Sequence, residues 1–274
     1  MNTAAGPKAR VFVAVGSALP DPLTLVAATQ LALVAGGKLA ALFVEDISLL
    51  RLAKLPIAFE IGAALPTPRP FGAADVERGF KVQAAELRRA LAEVANAVQL
   101  DFTFDIVRGK PASALLEASA EQDLIVLAGA AAGVFTHHPH ASIVRNALRD
   151  GISGIRSRRV QSVAAVLQSG PSVQRVLAIA RRLARANSAS LILFVATNDA
   201  RDAQLTTLAG KWPDEHGASA RIIALPDRTP ESLAKLVAQT GSQVLFWPAE
   251  GNLEMASAVE PLLAAISRPL VVVR

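Results

Sequence analysis

Asp123-Leu124-Ile125-Val126-Leu127-Ala128-Gly129-Ala130-Ala131-Ala132-Gly133, followed by Val134-Phe135-Thr136-His137-His138-Pro139-His140-Ala141-Ser142, is the stretch that decides the fold. From Leu124 to Ala128 the chain is continuously apolar and too short for a helix. Such a run predicts a parallel strand buried on both faces. Two glycines then bracket three alanines, so a ligand could approach the backbone without side chains in the way. A helical pattern resumes at Ser142 with Ile143, Val144, Ala147 and Leu148. Strand, small-residue loop and helix N-terminus is the arrangement that holds phosphate in open α/β sheets.

The same syntax extends on both sides. Toward the N-terminus, Val11 to Val15 is a buried-strand run ended by Gly16-Ser17. Leu23 to Ala35 reads as a helix closed by Gly36-Gly37. Leu39 to Val44 is a second strand, ending in the acidic pair Glu45-Asp46. Residues 47–70, with Pro56, Pro66, Pro68 and Pro70, read as an irregular surface excursion. Val76, Phe80, Ala84, Leu87, Leu91, Val94 and Val98 then stripe one face of a long helix. Phe102 to Val107 alternates as a strand, and Pro111 opens the helix leading back to Asp123.

Toward the C-terminus the order recurs. Strands are expected at Ser162–Leu167, Leu191–Val195, Arg221–Leu225, Val244–Trp247 and Pro269–Val273. Helices are expected from Ser172, around Ala203–Gly210, from Thr229-Pro230-Glu231, and over Met255–Ile266. Leu42-Phe43-Val44 matches Leu193-Phe194-Val195 at an offset of 151, whereas Pro111 and Asp123 match Pro230 and Ser242 at 119. The first copy therefore carries 32 more residues between its second and fourth strands. Two tandem αβ repeats, each an open parallel sheet, are preferred over one doubly wound sheet. The boundary falls between residues 158 and 159, with the insertion at 47–70 in the first domain.

Composition limits the function. Of 274 residues, 52% are hydrophobic and 19% charged, an ordinary globular balance. The chain has no Tyr and two Trp, too few aromatics for a base-stacking surface. A net charge of +5 favours anions mildly. With no Cys there is no disulfide, thiol nucleophile or zinc-thiolate site. The N-terminus lacks the apolar core of a signal peptide, and the greasy region from Leu23 to Val44 is broken by polar residues and glycines. A soluble, cytoplasmic protein is the expectation, without nucleic acid or membrane as a partner.

The order and length of the elements, with Leu42-Phe43-Val44-Glu45-Asp46, resemble a tandem universal stress protein over nearly the whole chain. The resemblance implies an adenine nucleotide α-hydrolase-like sheet in each repeat. Nucleotide-binding members of that family carry an Asp at the end of strand one and a loop of the form G-x2-G-x9-G-[ST]. Here Gly16, next to Ser17, stands at the Asp position. Gly129 and Gly133 are spaced by three residues instead of two, and Ala141-Ser142 replaces Gly-Ser. In the second copy Trp247-Pro248-Ala249-Glu250-Gly251-Asn252 puts a residue without an N–H and a carboxylate where phosphate would lie. The family's fifth strand has only a poor counterpart between Asp150 and Gln161, so the first copy has lost it or pairs irregularly with the second.

Two functions follow from the resemblance. One is a non-catalytic stress-response protein with degenerate nucleotide sites, acting through protein association. The family pairs through its last strand, so Pro269–Arg274 would be an open edge for self-association as a homodimer. The alternative keeps ATP or AMP at Gly16, Ser17, Gly129, Gly133, Ser142 and Arg145, with slow hydrolysis. No catalytic residue and no metal ligand set is assigned. His137, His138 and His140 read as solvated loop residues rather than a metal site. Arg145, Arg149, Arg156, Arg158 and Arg159 read as a solvated face and basic linker. Glu45 and Asp46 point to opposite faces and read as a solvated strand end rather than ligands for a metal or ribose. Ser17 has no His and Asp partners at triad spacing.

Overall fold

The computed structural model describes residues 10–15, 22–57, 59–60, 69–109, 114, 117–120, 122–127, 159–196, 205, 207, 220–227, 229–249, 259 and 261–274. In chain order these form β1 (Arg10–Val15), α1 (Pro22–Ala35), β2 (Lys38–Asp46), α2 (Ile47–Leu52), β3 (Phe59–Glu60), β4 (Arg69–Pro70), α3 (Ala73–Ala97), β5 (Phe102–Gly109) and β6 (Leu124–Leu127). There follow β7 (Ser162–Leu167), α4 (Val173–Asn187), β8 (Ser190–Ala196), β9 (Ala220–Leu225), α5 (Pro230–Thr240), β10 (Val244–Pro248) and β11 (Leu270–Val273).

Nine strands make one sheet in the order β5-β2-β1-β6-β11-β10-β7-β8-β9. Every neighbouring pair is parallel except β11 against β6, which is antiparallel with Leu270 opposite Leu127 and Val273 opposite Leu124. Leu124 to Leu127 are all buried, as the uninterrupted apolar run requires. Alternate residues separate onto two faces. Val11, Val13, Leu39, Ala41, Phe43, Leu124 and Val126 join the core under α1, α3 and α4. Phe12, Ala40, Leu42, Val44, Ile125 and Leu127 join the other core, which includes Leu233 and Val237 of α5 with Val259, Leu262 and Ile266. The period of two along each strand is what sends neighbours to opposite layers.

The α3 stripe lies where the sequence places it, with Phe80 edge-on to Phe43 at 6.2 Å between ring centroids. Helix ends follow local chemistry too. Gly36 and Gly241 adopt φ of +63° and +65°, and the following N–H groups close on Ala32 O (3.0 Å) and Val237 O (3.1 Å). That left-handed turn favours glycine because no Cβ meets the next carbonyl.

Three expectations change. The excursion at 47–70 is not wholly irregular: it holds α2 and the antiparallel pair β3–β4. The Asp46 side chain accepts from the Ser48 N–H at 2.8 Å, and this cap starts α2 immediately after the strand. The C-terminal strand is not an open edge, because β11 is paired on both sides inside the chain, to β10 and to β6. The sheet ends instead at β5 and β9. Finally, the two separate open sheets expected from the repeat are one: β11 pairs with β6, so the strands of both halves form a single nine-stranded sheet. Residues 151–158, where a fifth strand of the first copy was weighed, lie outside the described residues.

Candidate functional site

In open α/β sheets ligands sit beyond the carboxyl ends of the strands. Gly16, Ser17, Gly129, Gly133, Ser142 and Arg145, the expected binding residues of the first half, lie outside the described residues. So do His137, His138, His140, Arg149, Arg156 and Arg158. Of the basic run only Arg159 is described, and it is exposed.

Glu45 and Asp46, at the end of β2, are described, and both are committed to the fold. Register places Glu45 beside Arg108 of β5. Arg108 donates to Glu45 Oε2 from Nε at 2.9 Å, its Nη2 lies 2.8 Å from the same oxygen, and Glu77 stands 3.6 Å away. Asp46 caps α2. Each carboxylate thus has one oxygen engaged within the fold, Glu45 Oε2 by Arg108 and Asp46 Oδ1 by the Ser48 N–H. Among the described residues no group of three His, Asp or Glu is placed to hold a metal ion.

Of the corresponding second-half stretch, Trp247, Pro248 and Ala249 are described, whereas Glu250, Gly251 and Asn252 lie outside the described residues. Pro248 belongs to β10, is buried, and lies in register with Val273. The next N–H, that of Ala249, donates to Val273 O at 2.8 Å. A phosphate cradle needs consecutive free backbone donors. Here the first is chemically absent and the second is spent on the sheet.

Two buried hydroxyls were not singled out by sequence reasoning. Thr24 Oγ1, in the first turn of α1, and Ser172 Oγ, at the N-cap of α4, have no hydrogen-bond partner among the described residues. Each sits in the helix start that follows the first strand of its half.

Sequence reasoning also missed a polar cluster where the halves meet. Asp123 is 1% exposed and accepts from Arg10 N (3.2 Å), Arg10 Nε (3.2 Å), Arg10 Nη2 (2.8 Å) and Ala120 N (2.7 Å). Arg10 also stacks over the Phe12 ring at 4.8 Å. From the second half, Arg175 donates to Gln122 O and to Arg274 O (2.7 Å), and Arg274 Nη1 donates to Ser119 O and Oγ at 3.1 Å each. Burial lowers the Arg175 pKa from its ordinary value, and the Asp123 charge works against that shift. The signal for the clasp was present in the chain: Arg10 and Asp123 each precede an apolar strand run. Only the register that pairs Val11 with Leu124 makes them neighbours.

No protein-family model matches the sequence, and no curated protein matches it. Solved structures do. A universal stress protein from Archaeoglobus fulgidus DSM 4304 superposes with a TM-score of 0.58 at 9% identity, covering 98% of this chain and 97% of that one. A putative universal stress protein from Pseudomonas aeruginosa UCBPP-PA14 gives 0.48 at 10% identity, over 98% and 93% of the two chains. A functionally unknown protein from Pseudomonas aeruginosa PAO1 gives 0.49 at 10%, over 98% and 92%. The first of these establishes the fold: α/β, with a mostly parallel sheet of the kind found in a universal stress protein.

Proposed function

We propose that this chain is a non-catalytic stress-response protein built from two universal-stress-protein-like units in tandem, 1–158 and 159–274. It acts in the cytoplasm through association with proteins, and its nucleotide sites are degenerate. The tandem reading is supported by the strand order. Counted outward from the β6–β11 seam and in each half's own numbering, both halves run fourth, first, second, third strand, with β11 inserted as the fifth strand of the second.

The observation that carries the degenerate-site reading is the end of β10. Pro248 offers no donor, and the Ala249 N–H is bonded to Val273 O. The Glu45–Arg108 pair supports it further, since that carboxylate is already neutralised. Melting the full chain with and without millimolar ATP and magnesium tests the proposal. No shift is the expected result. Stabilisation by about 2.7 kcal/mol, the effect of ligand at about 100 times its dissociation constant, overturns it in favour of ATP or AMP bound at Gly129, Gly133 and Ser142.

A further inference from the structure

Folding needs one apolar face from a short surface helix, and α2 with the turn after it has two. Leu49, Leu50 and Ala53 point inward and are 7%, 5% and 6% exposed. They anchor the element under the core that contains Phe80. On the other side Leu52 and Leu55 are each 49% exposed, Ile57 79% and Phe59 61%. Half of the exposed large hydrophobic residues among the described ones thus fall within eight consecutive positions. Their exposure does not come from slack backbone. The Lys54 and Leu55 N–H groups bond to Arg51 O (3.2 Å) and Leu52 O (3.0 Å), and Phe59 is held opposite Pro70 in the β3–β4 pair.

Large apolar side chains left exposed this close together in the chain mark an interaction site. The charged residues within it are cations: Arg51 and Lys54 are exposed, and no Asp or Glu stands between Asp46, which caps α2, and Glu60, which follows Phe59. We propose that this knob docks the protein on an anionic lipid surface, with the four apolar side chains entering the headgroup boundary and the two cations facing lipid phosphates and carboxylates. Charge complementarity selects this occupant. A second copy meeting the same patch across a two-fold axis would set Arg51 and Lys54 against their own counterparts. The inference does not depend on the nucleotide sites and departs from the sequence expectation of no membrane. Whether side chains on an excursion point outward is not legible before folding.

The experiment is flotation of the full chain with phosphatidylcholine vesicles, with and without phosphatidylserine. Binding to the phosphatidylserine vesicles alone is expected. Ile57→Asp/Phe59→Asp should abolish it, and Arg51→Gln/Lys54→Gln should weaken it roughly thirtyfold from two lost cation–surface contacts. Melting temperatures of both variants should match the parent, because all four side chains are exposed, so lost folding is distinguishable from lost docking. Three results overturn the proposal. These are failure of the parent chain to float, undiminished flotation of the Asp variant, and a parent dimer in solution that the Asp variant converts to monomer.

Discussion

The two halves close the amino ends of their first and fourth strands with different chemistry. In the first half Arg10 and the buried Asp123 form a charged clasp across β1 and β6. In the second, the matching ends of β7 and β10 are joined by neutral bonds. Gln161 N donates to Gln243 Oε1 at 2.8 Å, and Gln243 N donates to Ser162 O at 3.0 Å. The charge stands where β6 meets a strand from the other half. Arg175 and Arg274 cross that seam within the same cluster, bonding Gln122 O and Ser119. Within the second half β10 meets only its own neighbours, and amides suffice. Directional, charged contacts add specificity where strands of the two halves meet, beyond what an ordinary strand pair supplies.

Removing the carboxylate is the strongest test of this contrast. Asp123→Ala leaves the Arg10 and Ala120 backbone donors without their acceptor while Arg10, partly exposed, can turn to solvent, and should destabilise the protein by about 2–4 kcal/mol in urea unfolding. A loss no larger than that at the neutral end would erase the distinction. Arg175→Ala removes the bridge from α4 and should cost about 1.5–3 kcal/mol, with the added signature of a broadened or two-step transition as the halves uncouple. Gln243→Ala, at the neutral end, should cost about 0.5–1.5 kcal/mol and leave the transition single.

The smallest effect expected is a titration. The pKa of Asp227 is lowered by hydrogen bonds from the Thr229 and Ser232 side chains, then the Thr229 backbone N–H, with a smaller contribution from Lys235. Its folded value lies below its unfolded one. Its contribution is therefore complete above the unfolded carboxylate pKa and fades as pH falls through the folded value. Acidification should fray the start of α5, followed by amide chemical shifts at Thr229 and Ser232, and Asp227→Asn should remove that pH dependence. If acid fraying proved larger than the Arg175→Ala effect, charge would matter as much inside the second half as at the seam.

Much of the architecture was legible because it rests on short-range pattern. The apolar run Leu124–Leu127, the 3.6-residue stripe of α3, the Thr229-Pro230 start of α5 and the glycine end of α1 are each decided within a few residues. The candidate site was less legible. Glu45 looked like a free carboxylate until register set Arg108 beside it, and α2 was hidden in the excursion because a six-residue helix has too few turns to show a period.

The sequence by itself determined the buried strands of the sheet, the long helix α3, the starts and ends of helices set by local caps, and the missing backbone donor at Pro248. These follow from side-chain period and from the missing N–H of proline, which no neighbour can alter. Only the tertiary structure decided that β11 lies inside the sheet against β6, that Asp123 is clasped by Arg10, and that Leu52, Leu55, Ile57 and Phe59 face outward. An apolar strand pairs equally well with any open edge, and a charge finds its partner only when distant strands come into register. Those choices are made by long-range contacts that leave no mark in local pattern.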